Sequence, residues 1–218
     1  MINKNLKIAV GIPTINRADL LDGALKDLAK NMSDMDLLLL VDNGSQNITV
    51  PTEFKKVAFF QSEKNLGVSK SWNHMMKTAF KLSDIDYLLI LNDDIVLGKT
   101  KKDILELIGS NPDVSLFVGP QNWCAFLMHK SILNTVGFFD EKFFPAYYED
   151  NDYHYRVKLA NVKHLMNCPA LDPVIYLNSQ SIEKDSSLRR GSHKNHMYFK
   201  KKWGGDPGEE KFTTPFGK

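Results

Sequence analysis

Two runs of this chain, Leu37 to Val41 and Tyr87 to Leu91, are apolar throughout, and each stops at a cluster of acids and amides. A strand with one wet face alternates apolar and polar residues. An unbroken run must instead be buried on both faces, as in a parallel sheet covered by helices on either side. Leu6 to Ile12, stopped by Pro13, and Val57 to Phe60 read as two further strands. Helical patterns separate them: Ala18 to Asn31 spaces Leu20, Leu21, Ala24, Leu25 and Leu28 along one face. A second helix starts near Ser69 and runs through Met75, Met76, Ala79 and Phe80. This alternation predicts an α/β fold whose ligand lies beyond the carboxyl ends of the strands.

The polar groups gather at those ends. Pro13, Thr14 and Arg17 follow the first strand, Asp42 and Asn43 the second, and Asn92, Asp93 and Asp94 the fourth. Paired carboxylates there suit Mg²⁺ or Mn²⁺, hard cations that take oxygen ligands and bridge to diphosphates. The same residues also suit a plain turn. An aspartate such as Asp42 can accept from the N–H of a uracil or guanine edge. Asn65-Leu66-Gly67 opens a helix whose unpaired N–H groups suit an anion; Lys70 fits that cradle or a solvated first turn equally.

The second half is less regular. Leu116 to Val118 and Cys124 to Met128 read as strands, Ser131 to Val136 as a short helix, and Glu149 to Leu159 as a helix. The helix dipole favours acids such as Glu149, Asp150 and Asp152 in a first turn, so that cluster is either ordinary capping or a site. The run Phe138 to Phe144 before it is too apolar for a surface loop. Trp123 suits either stacking on a sugar or a place in the core. Ile182 to Arg190 reads as a mobile loop before a final helix around Lys194 to Trp203, ended by Gly204 and Gly205 and flanked by His193 and His196.

At 218 residues, 43% hydrophobic and 25% charged, the chain has the composition of one globular domain. A net charge of +2 argues neither for nor against nucleic acid, but Lys184 to Lys202 is locally basic, fitting a solvated helix or an anionic partner. Cys124 and Cys168 form no disulfide framework or metal-ligand spacing, which fits a reducing compartment. No apolar run approaches the ~18 residues of a membrane span, and the start lacks the apolar core of a signal peptide. The expectation is a cytoplasmic protein, of a bacterium or of a virus-infected host cell.

Taken together, Pro13-Thr14-Ile15-Asn16-Arg17, Val41-Asp42-Asn43-Gly44-Ser45, Asn65-Leu66-Gly67, Asn92-Asp93-Asp94 and the segment from Phe139 to Asp152 resemble the motifs of the inverting family 2 glycosyltransferases. The resemblance covers about Lys7 to Val157 and extends loosely to viral, bacteriophage and rhamnosyltransferase-like members. It implies a single GT-A domain: residues 1–97 as the nucleotide-sugar half, 98–180 as the acceptor half and 181–218 as a basic loop and helix. It implies Asp150 as general base beside Glu149, with Pro13, Thr14, Arg17, Asp42, Asn43, Asn65, Gly67, Lys70, Asn92 and Asp93 against the nucleotide sugar. Asp94 would hold Mn²⁺ or Mg²⁺, with His193 as a late ligand, and Trp123 and Asp152 would face the acceptor. Asn92 departs from the family's DXD-type pattern at its first position. The implied donor is a nucleotide diphosphate sugar, UDP-linked, and the implied acceptor a glycan or surface polysaccharide. A hydroxymethylated base of viral DNA is the alternative acceptor. A non-catalytic nucleotide-sugar-binding module is the alternative of another class, against which the intact Glu149-Asp150 pair speaks.

Overall fold

The unbroken apolar runs form the middle of a seven-stranded sheet in the computed structural model, which describes residues 5–121, 123–177 and 186–218. Four parallel strands, β1 (Ile8–Thr14), β2 (Leu37–Asp42), β3 (Val57–Gln61) and β4 (Tyr87–Leu91), make the first half. A short β5 (Ile95–Val96) leaves this sheet. The second half adds β6 (Leu116–Val118), β7 (Ala125–His129) and β8 (His164–Leu165), giving the order β3-β2-β1-β4-β7-β6-β8. β7 runs antiparallel to both β4 and β6, so the sheet is mixed. A last strand, β9 (Ile175–Tyr176), pairs with β5 as a separate ribbon.

Period-two geometry splits each central strand between two apolar layers. Leu38 and Leu40 of β2 point into one layer with Leu21, Leu25 and Leu28 of α1 (Ala18–Asn31). Leu37, Leu39 and Val41 point into the other with Met75 and Met76 of α2 (Val68–Lys77). That two-sided burial is why β2 and β4 contain no polar position before their ends. Pro13 does not stop β1 as expected. Pairing with β4 ends at Gly11–Ile90, and beyond it β1 has a neighbour on one side only, where a proline is tolerated.

Two elements differ from the sequence expectation. α3 (Lys101–Ser110) is held by a capping box between Thr100 and Asp103, a Thr-x-x-Asp signal present in the sequence. After α4 (Ile132–Thr135) and α5 (Glu149–Leu159), helix α6 spans Ser186–Trp203 and begins well before Lys194. Of the expected loop at 182–190, residues 182–185 lie outside the described residues, and the rest is helical. Among the described residues, no helix is long and apolar enough to cross a membrane. Phe117 on β6 is fully buried between β7 and β8. Phe117→Ala should therefore cost about 3–5 kcal/mol, read from the midpoint of urea unfolding.

Candidate active site

Register aligns Thr14, Asp42 and Gln61 across the carboxyl ends of β1, β2 and β3. Thr14 Oγ1 donates to Asp93 Oδ2 at 2.7 Å, tying the end of β1 to the turn after β4. Asp93 and Asp94 are both buried. Burial pushes the Asp93 carboxyl up to about 7 and Asp94 adds to the rise, against the Thr14 hydrogen bond and the charge of Arg17. Arg17, also buried, is held by a two-pronged bond to Asp19 (2.9 and 3.0 Å). Two carboxylates crowded into one buried spot form an oxygen-only, over-negative pair, a donor set that fits Mg²⁺ or Mn²⁺. Such an ion is commonly held by one or two carboxylates, with the remaining positions left to water and substrate phosphate.

Asp42 is fully buried and accepts four hydrogen bonds. Oδ1 takes Gly44 N and Gln46 Nε2, both at 2.9 Å; Oδ2 takes Gln46 N at 2.6 Å and Gln61 Nε2 at 3.0 Å. Burial raises its pKa, but these bonds outweigh burial and hold it below the ordinary value. Asn43 is spent on scaffolding: its Oδ1 accepts from Leu66 N at 3.1 Å and its Nδ2 donates to Ser71 at 2.9 Å. Asn65 Oδ1 accepts from Gly67 N at 2.8 Å. Gly67 has φ of 78°, and a Cβ there would sit 2.8 Å from the Phe144 ring, so both conformation and space require glycine.

That close approach joins the two halves of the molecule. Val68 N donates to Pro145 O at 2.8 Å, and Ser69 Oγ to Phe143 O at 3.2 Å. Asn73 pairs with Phe139 in both directions, accepting from its N–H at 2.8 Å and donating to its carbonyl at 2.9 Å. Phe139 and Phe143 of the apolar segment are therefore buried, the first against α2 and the second against α6, whereas Phe144 stays exposed. The segment leads to Tyr147 and Tyr148, both left-handed at φ 77° and 69°, a conformation costing about 1–2 kcal/mol each. Helix α6 holds this strained turn: Asn195 Nδ2 donates to Ala146 O at 2.8 Å and Tyr147 O at 3.1 Å, and Tyr148 stacks on His196.

Immediately after the turn come the two candidate catalytic acids. Glu149 is buried, and its Oε2 has no hydrogen-bond partner among the described residues. Burial first, then the charge of Asp150, raises its pKa well above the carboxylate range and favours the protonated acid. Asp150 is half-buried and raised by burial, an effect partly offset by the Asn151 N–H at 2.8 Å. Asp152, two residues on, is fully buried and faces inward. It bonds to Lys202 Nζ at 2.6 Å, Arg156 Nε at 2.9 Å and Trp203 Nε1 at 2.9 Å. Lys202 also pairs with Asp140 at 2.7 Å, and Asp140 in turn accepts from Tyr198 at 2.9 Å.

Most residues singled out in the sequence lie at the carboxyl edge of the sheet or on the elements stitched to it. The segment entering β7 touches both regions: Asn92 N, after β4, donates to Cys124 O at 2.8 Å, and the ring of Trp123 lies 6.2 Å from that of Tyr153 within α5. Three placements differ from the expectation. Trp123 is buried among Phe126, Phe139 and Tyr153, so its faces are taken by the core. The Asp152 carboxylate is consumed by its internal ion pairs. His193 is exposed on α6, and no group of three or more His, Cys, Asp or Glu side chains placed to hold a metal occurs among the described residues. Lys70 is exposed at the start of α2. Sequence reasoning missed Gln46, Gln61, Asn195 and Lys202, none of which carries a local signal, because their partners are 15 to 62 residues away in all but the Gln46–Asp42 pair.

A mixed sheet of this order, with buried acids at its carboxyl edge, defines a fold of the GT-A class. Residues 9–167 match the family described as glycosyl transferase family 2. The chain belongs to that family. It is 33% identical over 75 residues to a galactofuranosyl glycosyltransferase of Leishmania donovani, a match spanning 34% of this chain and 17% of that protein. Its fold resembles the mannosyltransferase PcManGT from Pyrobaculum calidifontis in complex with GDP-Man and Mn²⁺, with TM-score 0.61 and 11% identity over 80% of this chain and 58% of that one. It also resembles S. aureus TarS in complex with UDP-GlcNAc, with TM-score 0.59 and 16% identity over 74% of this chain and 56% of that one. The chain thus spans less than two thirds of each of these proteins.

Helix α6 lies beyond the family-matched span, yet it partners Asp140 and Asp152 within it. Replacing Lys202 by Met would leave the buried Asp152 and the half-buried Asp140 short of their cation, at a cost of about 3–5 kcal/mol. The exposed pair Lys163–Asp113 should contribute no more than ~1 kcal/mol. Urea unfolding of K202M and K163M, side by side, checks that difference.

Proposed function

We propose that this chain transfers a sugar from a nucleotide diphosphate sugar to an acceptor hydroxyl with inversion at the anomeric carbon. The observation that carries the reading is the pair after the strained turn: a buried Glu149, whose Oε2 has no hydrogen-bond partner among the described residues, beside a more accessible Asp150, both raised in pKa by burial. A carboxylate poised above its usual range is a better proton acceptor near neutral pH. In this reading Asp150 takes the proton of the acceptor hydroxyl while its oxygen attacks the anomeric carbon from the face opposite the nucleotide. Glu149 and the internally paired Asp152 hold the turn and helix that aim Asp150.

The donor would lie over the ends of β1, β2 and β4, with Thr14 and Asp93 joined beneath it and the first turn of α2 beside its diphosphate. Asp93 and Asp94 are the residues that would hold Mn²⁺ or Mg²⁺. Such an ion, when bound, supplies positive charge to the departing diphosphate. We propose one domain, with residues 1–97 holding the donor, 98–180 the acceptor, and 181–218 bracing the acceptor side. The donor is proposed to be UDP-linked and the acceptor a glycan or surface polysaccharide. The basic segment that motivated a DNA acceptor is partly consumed within the fold: Lys200 pairs with Asp206, and Lys202 with Asp140 and Asp152.

Incubation with a panel of nucleotide sugars and Mn²⁺, following donor hydrolysis or transfer, tests the reading. Asp150→Asn should lower turnover about 10²–10⁴-fold while leaving donor affinity intact; undiminished turnover would remove Asp150 from the base role. Because its pKa is raised, the active carboxylate is lost as pH falls through that raised value, so the acid limb of the rate profile should lie above the ~3.9 of a free aspartate. Chelation by EDTA should stop turnover and added Mn²⁺ restore it. Asp94→Ala should lose about a hundredfold or more, the equivalent of several kcal/mol of charge stabilisation.

A further inference from the structure

The resemblance assigns recognition of the donor's base to the acid after β2, but Asp42 has no capacity left for a ligand. A carboxylate offers about four lone-pair sites. All four are filled by Gly44, Gln46 and Gln61, and the side chain is sealed from solvent. Replacing either Gln46 bond with a bond to the base would loosen the loop that Gln46 closes, since Gln46 Oε1 also accepts from Ala18 N at 2.6 Å at the start of α1.

Gln61 stands next to Asp42 in register, at the exposed carboxyl end of β3. Its amide nitrogen carries two hydrogens and spends both, one on Asp42 Oδ2 at 3.0 Å and one on the carbonyl of Gln46 at 2.8 Å. Two acceptors facing the same atom settle which end of the amide is nitrogen, because the flipped amide would set oxygen against oxygen twice. The amide oxygen is therefore the end that takes part in neither bond, on a side chain that is exposed and held by two bonds through its own nitrogen. Along the carboxyl edge of β1, β2 and β3, Thr14 is turned toward Asp93 and Asp42 is saturated. Gln61 alone of these three aligned residues offers an unspent acceptor beyond the sheet edge.

We propose that Gln61 is the residue that reads the donor's base, accepting through Oε1 from an N–H on the base's pairing edge, and that Asp42 acts through Gln61 as a positioning residue. The inference rests on the donor reading given above and adds to it the group that selects the nucleotide. An oriented acceptor favours bases that place an N–H opposite it. The ring N–H of uracil or guanine and the exocyclic amine of cytosine or adenine share that chemistry, and the nucleotide panel below separates them. The signal in the sequence is slight: a glutamine at the end of an apolar strand.

Calorimetric titration of the full chain with UDP, GDP, CDP and ADP in the presence of Mn²⁺ measures binding without requiring turnover. The tightest of the four should lose about tenfold in affinity in Gln61→Met, the size expected when a base N–H loses its acceptor on leaving water. Gln61 is an exposed strand-end residue, and an unchanged melting temperature will show that the variant is folded. If UDP is tightest, N3-methyl-UDP, which lacks the ring N–H, should bind the unaltered protein about tenfold more weakly than UDP. It should lose nothing further in Q61M, because both changes delete the same bond. Affinity for the tightest nucleotide within twofold of the unaltered protein in Q61M would overturn the role of Gln61 and leave the donor reading standing. Full-strength binding of N3-methyl-UDP by a protein that prefers UDP would do the same. Failure of all four nucleotides to bind would overturn the donor reading, and this inference with it.

Discussion

Burial of the sheet on both faces is the constraint from which the rest follows. β2 and β4 have apolar cores above and below them, so no polar side chain can be placed along their length without an unpaired group in the interior. Chemistry is confined to the strand ends, where the chain leaves the core. At one edge this collects Thr14, Asp42, Gln61, Asp93 and Asp94 from strands far apart in sequence. The raised pKa of Asp93 is a consequence of the same geometry: its carboxyl sits at the lip of the core, next to another acid.

The segment that carries the candidate acids is built differently. The segment from Phe139 to Tyr148 has little regular structure of its own and depends on two helices for its shape. Helix α2 takes its backbone groups through Val68, Ser69 and Asn73. Helix α6 takes its far end through Asn195 and satisfies its acids through Lys202 and Trp203. Two consecutive left-handed tyrosines store strain at the point where the chain turns into α5. A lysine buried between two aspartates is a demanding arrangement that fixes one geometry, because any displacement leaves a charge uncompensated. The part of the chain outside the family match is thus what holds the acid-bearing turn inside it.

Saturation of Asp42 shows how a motif residue can be fully occupied by its own loop. Asp42 is where the resemblance places it, but its carboxylate is enclosed by the glutamines at positions 46 and 61. Their long side chains fold back over the strand end and replace whatever else would have bonded there.

The order of strands and helices, the two-sided core and the clustering of acids at strand ends were determined by the sequence alone, because hydrophobic period and turn residues are local properties that survive any tertiary arrangement. Helix α3 was missed, although the Thr100–Asp103 box that caps it is a local signal in the sequence. Only the tertiary structure decided which of those polar residues remain available to a ligand. Asp42, Asp152 and Trp123 are spent on internal partners, whereas Asp150 is half-buried and Gln61 exposed. That difference depends on contacts such as Lys202 with Asp152 and Asn195 with Tyr147, made between residues about fifty positions apart. Sequence spacing carries no record of such contacts, because long-range pairs form only once the sheet has brought its ends together.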